Sequence, residues 1–302
     1  MKVPDAYCVN DLLLWGKSFS KNALIAKGFL VEVPDVRYFS TEQAHVFHDQ
    51  LKTFLGELDP NYSLQIQWSV SGDYTQELQV FKNKLTSTSA WGEFIRQNRF
   101  HCFSKKAQEG LLKREQLVVF MTHRCNTLPK KGLQKASEVE RFLDSEKRAF
   151  DEKMARFSLL TESGRVISMN NAMHLHYAYQ FFNPELPALP DDYVFNAENS
   201  LLDNCLFSDG IFRSQEGTVC FKTGSYYHNI LIFRKWPRFA HPGIMTQLMD
   251  ALENDFCITQ NIHPLEISKE IVKEEKAIKH LSGNVRSGNA SLETAIEQKR
   301  LH

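Results

Sequence analysis

The sequence lacks the simple signatures of a membrane-spanning, disulfide-linked or strongly charged protein. No apolar run approaches the ~18 residues of a membrane span, and Leu12–Trp15 is too short for the hydrophobic segment of a signal peptide. The six cysteines include no Cys-x-x-Cys pair, which excludes a zinc ribbon and a disulfide scaffold. Basic and acidic residues balance at 36 each, which excludes a basic nucleic-acid coat protein. We expect a cytoplasmic chain that does not cross a membrane.

What the sequence does contain is a regular alternation of predicted strands and helices. Of its 302 residues, 42% are hydrophobic and 24% are charged, enough for a sizeable core under a solvated surface. The clearest pattern is the strict apolar–polar alternation of residues 62–70, which predicts a strand with one buried and one polar face. Before it, residues 24–33 predict a strand, and a capping box at Ser40 and Gln43 predicts the start of an amphipathic helix. Residues 115–122 predict a short strand that is apolar on both faces.

The predicted elements fall into three segments. Residues 1–123 form a first α+β unit, residues 124–200 a helical insertion with a Pro-rich connector, and residues 201–302 a second α+β unit with a charged C-terminal helix. Both α+β units share the order strand, proline, helix, polar strand, helix, and strands joined through helices are typical of split βαβ units. The predicted fold is therefore α+β, with small mixed sheets of split βαβ, ferredoxin-like units and a helical insertion. In the second unit, residues 230–233 predict a strand that is buried on both faces, and residues 256–262 predict a further strand.

The motif nearest to a nucleotide site is Gly16-Lys17-Ser18, which matches the end of a phosphate-binding loop. The complete motif needs a glycine at position 11, and a strand before it. Asp11 stands there instead, and its carboxylate would repel a phosphate group. We therefore expect no nucleotide site, no catalytic residue and no bound cofactor in this chain.

Two histidine pairs have spacings found in metal sites but lack a third ligand nearby in the sequence. His45 and His48 lie on the predicted amphipathic helix, away from its apolar stripe. His174 and His176 lie in an apolar helix, where a hydrogen-bonded structural histidine is the favoured interpretation. We therefore predict no metal site. A nucleophilic Cys–His pair stays open as a hypothesis, because such residues meet only in space.

One stretch of the otherwise neutral chain is strongly basic. Between residues 96 and 135, ten basic residues stand against Glu109 and Glu115 alone, which gives a net charge of +8. Such a stretch attracts an acidic protein, anionic lipid or nucleic acid, whereas the alternative interpretation is an ordinary solvated helix and loop. The candidate partner-binding or lipid-binding residues are Arg96, Arg99, Lys105, Lys106, Lys113, Arg114, Arg124, Lys130, Lys131 and Lys135.

Several segments, in order, resemble one known family. In the second unit a glycine turn leads to a strand, a Trp-Pro stop, a Pro-Gly helix start and another strand. The matching segments are residues 62–69, Arg99-Phe100, residues 114–121, residues 224–237, Pro242-Gly243 and residues 255–262. Over about residues 24–280 the chain resembles the amino-terminal part of the CagE/TrbE/VirB family, the type IV secretion and conjugative transfer ATPases, which include TraC-like proteins of conjugative plasmids.

The resemblance implies an amino-terminal docking domain without its motor. Family members continue with a RecA-like motor that carries Walker A and B motifs for ATP and Mg²⁺, and no residue here matches those motifs. In the family this domain links the motor to inner-membrane subunits of the secretion channel. The implied chain is non-catalytic, cytoplasmic and peripheral to the inner membrane. Its candidate partners are channel subunits, anionic lipid and a second copy of itself.

Two alternatives from other classes stay open. One is a nucleic-acid-binding module that uses the basic stretch, where Phe100, Phe103 and Phe120 interleave with the cations, although core packing explains Phe120 more simply. The other is a stand-alone α+β enzyme whose site is assembled from distant residues. Tight, salt-sensitive DNA binding would favour the first, and an assembled nucleophilic pair would favour the second.

Overall fold

The computed structural model has the α+β fold that the sequence predicts. It describes residues 5–15, 19–32, 39–72, 74–84, 89–158, 165–183, 186, 189, 193–196, 198–207, 210–215, 218–223, 226–228, 255–265 and 271–279. The strands are β1 (Ala6–Val9), β2 (Leu12–Trp15), β3 (Ala23–Glu32), β4 (Tyr62–Ser71), β5 (Arg114–Cys125), β6 (Arg165–Ser168), β7 (Gly210–Gln215), β8 (Thr218–Thr223), β9 (Tyr226–His228) and β10 (Phe256–Ile262). The helices are α1 (Thr41–Gly56), α2 (Thr75–Lys84), α3 (Ala90–Gln108), α4 (Ala136–Ser158), α5 (Asn171–Phe182), α6 (Leu201–Cys205) and α7 (271–279).

Seven of these strands form one open sheet. Its order is β1-β2-β3-β5-β4-β10, with β6 also beside β3, and β7-β8-β9 form a separate sheet. β3 and β4 are joined through α1 and run parallel to each other, because both pair antiparallel with β5 between them. This is the split βαβ arrangement that the sequence predicts. The sequence predicts mixed sheets, whereas the ladders among the described strands are all antiparallel. The parallel strands β3 and β4 do not pair with each other, because β5 lies between them.

Strands from all three predicted segments meet in the large sheet. β6, from within the predicted helical insertion, pairs with residues 29–32 of β3. β10, from the last predicted unit, pairs with residues 64–70 of β4. The sequence predicts β10 as a strand but not its partner, because alternation identifies the faces of a strand and not its neighbour.

One edge of β3 is shared by two strands, with a gap between them. β2 pairs with residues 24–26, and β6 pairs with residues 29–32. In the gap, the Gly28 N–H donates to Nε2 of His174 on α5 at 2.9 Å, and the Gly28 carbonyl accepts from the Met169 N–H at 2.9 Å. A buried amide without a partner costs about 1–3 kcal/mol. The His174 ring therefore completes the sheet where no strand reaches.

Helices cover both faces of the sheet. α1 and α4 cover one face, where Phe54 and Phe150 are buried against β3, β4 and β5. α5 and α6 cover the other face, where Leu175 and Tyr179 pack against β1, β2 and β3. The inner positions of β3 therefore face apolar side chains on both sides.

Lys27 is a fully buried cation on the α4 side of β3. Its Nζ lies 2.7 and 2.8 Å from the two carboxylate oxygens of Asp151 on α4. The Ser168 hydroxyl donates to the same carboxylate at 3.1 Å. The Asp151 side chain is 42% exposed, whereas that of Lys27 is 0% exposed. The ammonium group therefore depends on a carboxylate that itself stays in contact with water.

The segment that resembles a phosphate loop begins in a hairpin. Asn10 and Asp11 form the turn between β1 and β2 with positive φ angles of 52° and 63°, as in the tight turns that match strand twist. The next four residues, which would form the body of such a loop, are strand β2. Gly16-Lys17-Ser18 and the predicted strand 230–233 lie outside the described residues, as do the connector prolines Pro184, Pro187 and Pro190.

Candidate functional site

α2 and α3 form a helical hairpin between β4 and β5. Phe81 on α2 packs edge to face against Phe103 on α3, with ring centroids 6.0 Å apart. Arg96 on α3 reaches back and donates to the Lys82 carbonyl at 2.8 Å. Although α3 has 19 residues, none of them is buried. One side of α3 is therefore held against α2 and the other side faces solvent.

The solvent side of α3 combines aromatic and basic side chains. At 3.6 residues per turn, eight exposed residues fall on this side, opposite Phe100 and Ser104. Trp91 is 69% exposed and Phe94 is 54% exposed, and their rings stack with centroids 5.5 Å apart. Contiguous exposed apolar groups mark interaction sites, unlike single ones. We call this surface the α3 face, and it consists of Trp91, Phe94, Ile95, Asn98, Arg99, Cys102, Lys105 and Lys106.

Ion pairs neutralise part of the basic stretch. The pairs are Arg96–Glu93, Lys105–Glu109, Arg114–Glu77 and Lys135–Glu138. Three of these four carboxylates lie outside residues 96–135, so the folded stretch carries less uncompensated charge than the sequence indicates. Among the residues that the structure describes, no carboxylate pairs with Arg99, Lys106, Arg124, Lys130 or Lys131.

The structure separates the ten candidate basic residues into two groups. One group lies on α3 and at the start of β5, and the other lies at and beyond the far end of β5. Arg114 lies opposite Ser71 of β4 at one end of β5, and Arg124 lies opposite Leu24 of β3 near the other end, about 34 Å away at ~3.4 Å per residue. The candidates therefore do not form one continuous patch. The group on α3 is the one that lies beside exposed aromatic rings.

One Cys–His pair meets between β1 and α5. Cys8 Sγ lies 3.8 Å from Nδ1 of His174. Because the Gly28 N–H donates to Nε2, the neutral ring carries its proton on Nδ1, which faces the thiol. Cys8 in turn donates to the side-chain carbonyl of Asn171 at 3.2 Å. The nitrogen beside Cys8 is therefore a donor and cannot accept the thiol proton.

Burial sets the protonation of this pair. Burial raises the pKa of the Cys8 thiol to about 12, and the charge of Asp11 adds to the rise. Burial also lowers the pKa of His174 to about 4, although the charge of Asp11 opposes the shift. Reactive cysteines need a lowered thiol pKa. Cys8 and His174 are thus both neutral at pH 7, and His174 is a hydrogen-bonded structural histidine.

The other histidines singled out in the sequence have no ligand cluster around them. His45 and His48 are exposed on α1, where His48 Nδ1 lies 3.3 Å from a carboxylate oxygen of Asp49. His176 packs edge to face against Phe195, with ring centroids 5.5 Å apart. In the described part of the chain, none of the three belongs to a group of three metal-ligating side chains.

A cluster that the sequence interpretation missed lies where β5 meets α4. β5 continues to Cys125 instead of ending at Thr122, which puts His123 and Cys125 on the same side of the strand, next to Glu146 of α4. Burial raises the pKa of the Cys125 thiol to about 12, and the Glu146 charge adds to the rise. The available signal was the His-x-Cys spacing, which aligns two side chains only if the strand extends through them.

Comparisons with known proteins add no family to these observations. No protein-family model matches the chain, and no curated protein matches it. Over the described ranges, no helix is both long enough and apolar enough to cross a bilayer. The α3 face and the sequence resemblance are therefore the grounds for a functional proposal.

Proposed function

We propose that this chain is a non-catalytic docking domain of a type IV secretion or conjugative transfer ATPase, which links the motor to the inner-membrane channel complex. The observation that carries the proposal is the α3 face, where exposed Trp91 and Phe94 lie beside basic side chains. The resemblance of residues 24–280 to the CagE/TrbE/VirB family gives the surface a biological setting, at the cytoplasmic side of the inner membrane.

The chemistry of the α3 face suits a protein partner with an acidic surface. Aromatic and Arg side chains dominate the binding energy of protein interfaces, and a rigid helix presents them at low entropic cost. Arg99 and Lys106 have no carboxylate partner among the described residues, so an acidic partner would complement them. α2 holds the opposite side of the helix through the Phe81–Phe103 contact. The face is therefore already oriented for binding before a partner arrives.

The distribution of charge favours a protein over nucleic acid. DNA binding depends on many phosphate contacts along one track, whereas the basic residues here are divided between the two ends of β5. The α3 group is also partly neutralised by Glu93 and Glu109. An acidic patch on a channel subunit needs only the few cations and the aromatic pair that the α3 face offers.

Membrane fractionation tests this proposal. The chain is expressed in cells with and without the channel genes, and its amount in the inner-membrane fraction is measured. We expect recovery that needs the channel genes and falls below about one tenth in a Trp91→Ser/Phe94→Ser double variant, since interface hot spots are each worth about 2 kcal/mol or more. The matched control is Val46→Ser, which removes a 51% exposed apolar side chain from α1.

Three results would contradict the proposal. Recovery that does not depend on the channel genes, and that vesicles of anionic lipid reproduce, would assign the α3 face to lipid. Tight, salt-sensitive retention on DNA that needs Arg99 and Lys106 would assign it to nucleic acid. Equal recovery of the double variant and the wild type would show that the α3 face is ordinary solvated surface and takes no part in docking. Melting curves of all variants must match the wild type for these comparisons to hold.

A further inference from the structure

The three side chains where β5 meets α4 have the composition of a transition-metal site. His123 and Cys125 come from alternate positions of β5, and Glu146 comes from the facing helix. Their ligand atoms, an imidazole nitrogen, a thiol sulfur and a carboxylate oxygen, all lie within 4.8 Å of one another. Imidazole, thiolate and carboxylate are the three side-chain ligands that Zn²⁺ takes in proteins.

The distances within the cluster leave room for an ion after a small adjustment. Nδ1 of His123 lies 2.7 Å from Oε2 of Glu146 and 3.8 Å from Sγ of Cys125. Bonds of about 2.0–2.3 Å from Zn²⁺ in a tetrahedral shell place its ligand atoms roughly 3.3–3.6 Å apart. The Cys125 sulfur is therefore almost at the required separation from Nδ1 of His123. The Glu146 oxygen has to move away from Nδ1 by about half an ångström and toward the Cys125 sulfur, from which it lies within 4.8 Å, by up to about 1.2 Å. Rotation of the Glu side chain accommodates both movements.

The contacts converge on a single nitrogen. Both the Glu146 carboxylate and the Cys125 sulfur face Nδ1 of His123. Nδ1 carries at most one proton, so it donates to only one of the two groups at a time. A cation between the three atoms would satisfy all of them together.

Charge and burial agree with a divalent ion. The side chains of His123 and Glu146 are 16% and 12% exposed, and Cys125 is 1% exposed. A buried ion needs its charge balanced. One thiolate and one carboxylate balance the two positive charges of Zn²⁺, and a neutral imidazole completes the set without adding charge.

The surroundings hold the imidazole in place. The Tyr62 ring of β4 stacks on His123 with centroids 4.3 Å apart and an interplanar angle of 4°. Phe150 of α4 packs edge to face against the Tyr62 ring, with centroids 6.0 Å apart. A ligand ring that is fixed by packing loses little freedom when it binds an ion.

We propose that His123, Cys125 and Glu146 bind one Zn²⁺ ion, with water as the fourth ligand, and that the ion ties the end of β5 to α4. On binding, Cys125 loses its proton to solvent, and Zn²⁺ takes the place of the His123–Glu146 hydrogen bond. His123 coordinates through Nδ1, so that nitrogen gives up its proton while Nε2 takes one from solvent, and the imidazole stays neutral. The site uses none of the residues of the α3 face. Its failure and the failure of the proposed docking function are therefore separate outcomes.

Metal titration of the full chain tests the site. The reduced protein is stripped with a chelator, and Zn²⁺ binding is measured by calorimetry. Binding of Co²⁺ is followed through the thiolate-to-metal charge-transfer band. We expect one equivalent per chain and a charge-transfer band that is lost in Cys125→Ser. The loss of affinity should exceed the roughly 10–100-fold that changes outside the ligand shell cause. Cys102→Ser is the matched control, because Cys102 is an exposed thiol on α3.

The remaining outcomes decide against the site. A folded wild-type chain that binds no stoichiometric Zn²⁺ would show that the cluster is only a hydrogen-bonded pair beside a thiol. A band that survives in Cys125→Ser, or that Cys102→Ser abolishes, would place the metal on another thiol. If Cys125→Ser does not fold, Glu146→Gln tests the site through the loss of Zn²⁺ affinity in calorimetry, because it keeps the size of the side chain and removes the charge.

Discussion

His174 should make the folded protein sensitive to mild acid, and its burial determines by how much. The ring accepts the Gly28 N–H only while Nε2 is unprotonated. The pKa of His174 is about 4 in the folded protein, against about 6.5 for an exposed histidine. Between these values the unfolded chain binds a proton that the folded chain does not, so the free energy of unfolding decreases as the pH falls. The contribution of the unprotonated His174 ring to the free energy of unfolding is complete above about pH 6.5 and is lost by about pH 4.

The expected magnitude follows from linkage. The slope reaches about 1.4 kcal/mol per pH unit between the two pKa values, which gives a loss of about 2 kcal/mol between pH 7 and pH 5. Urea unfolding followed by circular dichroism at pH 7, 6 and 5 measures it. His174→Gln keeps an acceptor for the Gly28 N–H but does not titrate, so its free energy of unfolding should fall by about 2 kcal/mol less over this range. Titrating carboxylates affect both proteins alike and cancel in the difference.

Two further variants isolate the cause. His176→Gln removes an imidazole from the same helix and should keep the wild-type slope. His174→Leu removes the acceptor, so the Gly28 N–H loses its partner and the protein should lose about 1–3 kcal/mol at pH 7. If His174→Gln lost stability between pH 7 and pH 5 as steeply as the wild type, the assigned proton position and the low pKa would both be wrong.

Two other predictions concern the same region of β3. Gly28→Ala should destabilise the fold by about 1–3 kcal/mol, because the added Cβ would lie 2.9 Å from Nε2 of His174. Gly56→Ala is the control: its added Cβ meets nothing within 4 Å, so its melting temperature should equal or exceed that of the wild type. Asp151→Asn should cost about 3–5 kcal/mol because it leaves the buried Lys27 ammonium without its carboxylate, whereas Lys27→Met should be close to neutral. If urea unfolding showed equal losses of free energy for Asp151→Asn and Lys27→Met, the expectation that removing the carboxylate costs more than removing the ammonium would be wrong.

The sequence predicts well those elements whose periodicity is uninterrupted. The alternation of residues 62–70 gives β4, and the capping box at Ser40 and Gln43 is present with both of its hydrogen bonds. β10 is predicted with the same bounds, residues 256–262, that the structure has. In each case the signal is local, because the faces of a strand and the ends of a helix are set by neighbours in the chain.

The candidate sites depend on contacts that local patterns do not contain. Trp91 and Phe94 have the composition of core residues, yet α3 packs on α2 through its opposite side and leaves them exposed. His174 owes its role to a gap in the edge of β3 that appears only when two distant strands share that edge. His123 joins Cys125 and Glu146 because β5 runs three residues further than its apolar pattern.

The pairing of β10 with β4 affects how the chain folds during its synthesis on the ribosome. β4 ends at Ser71 and β10 ends at Ile262, so about 190 residues are synthesised between them. At about 5–20 residues per second this takes roughly 10–40 s. During that time the outer edge of β4 is an open template for any other extended chain. Ribosomes that follow one another on a messenger carry copies of this edge side by side, and β10 closes each copy only after residue 262 has been added.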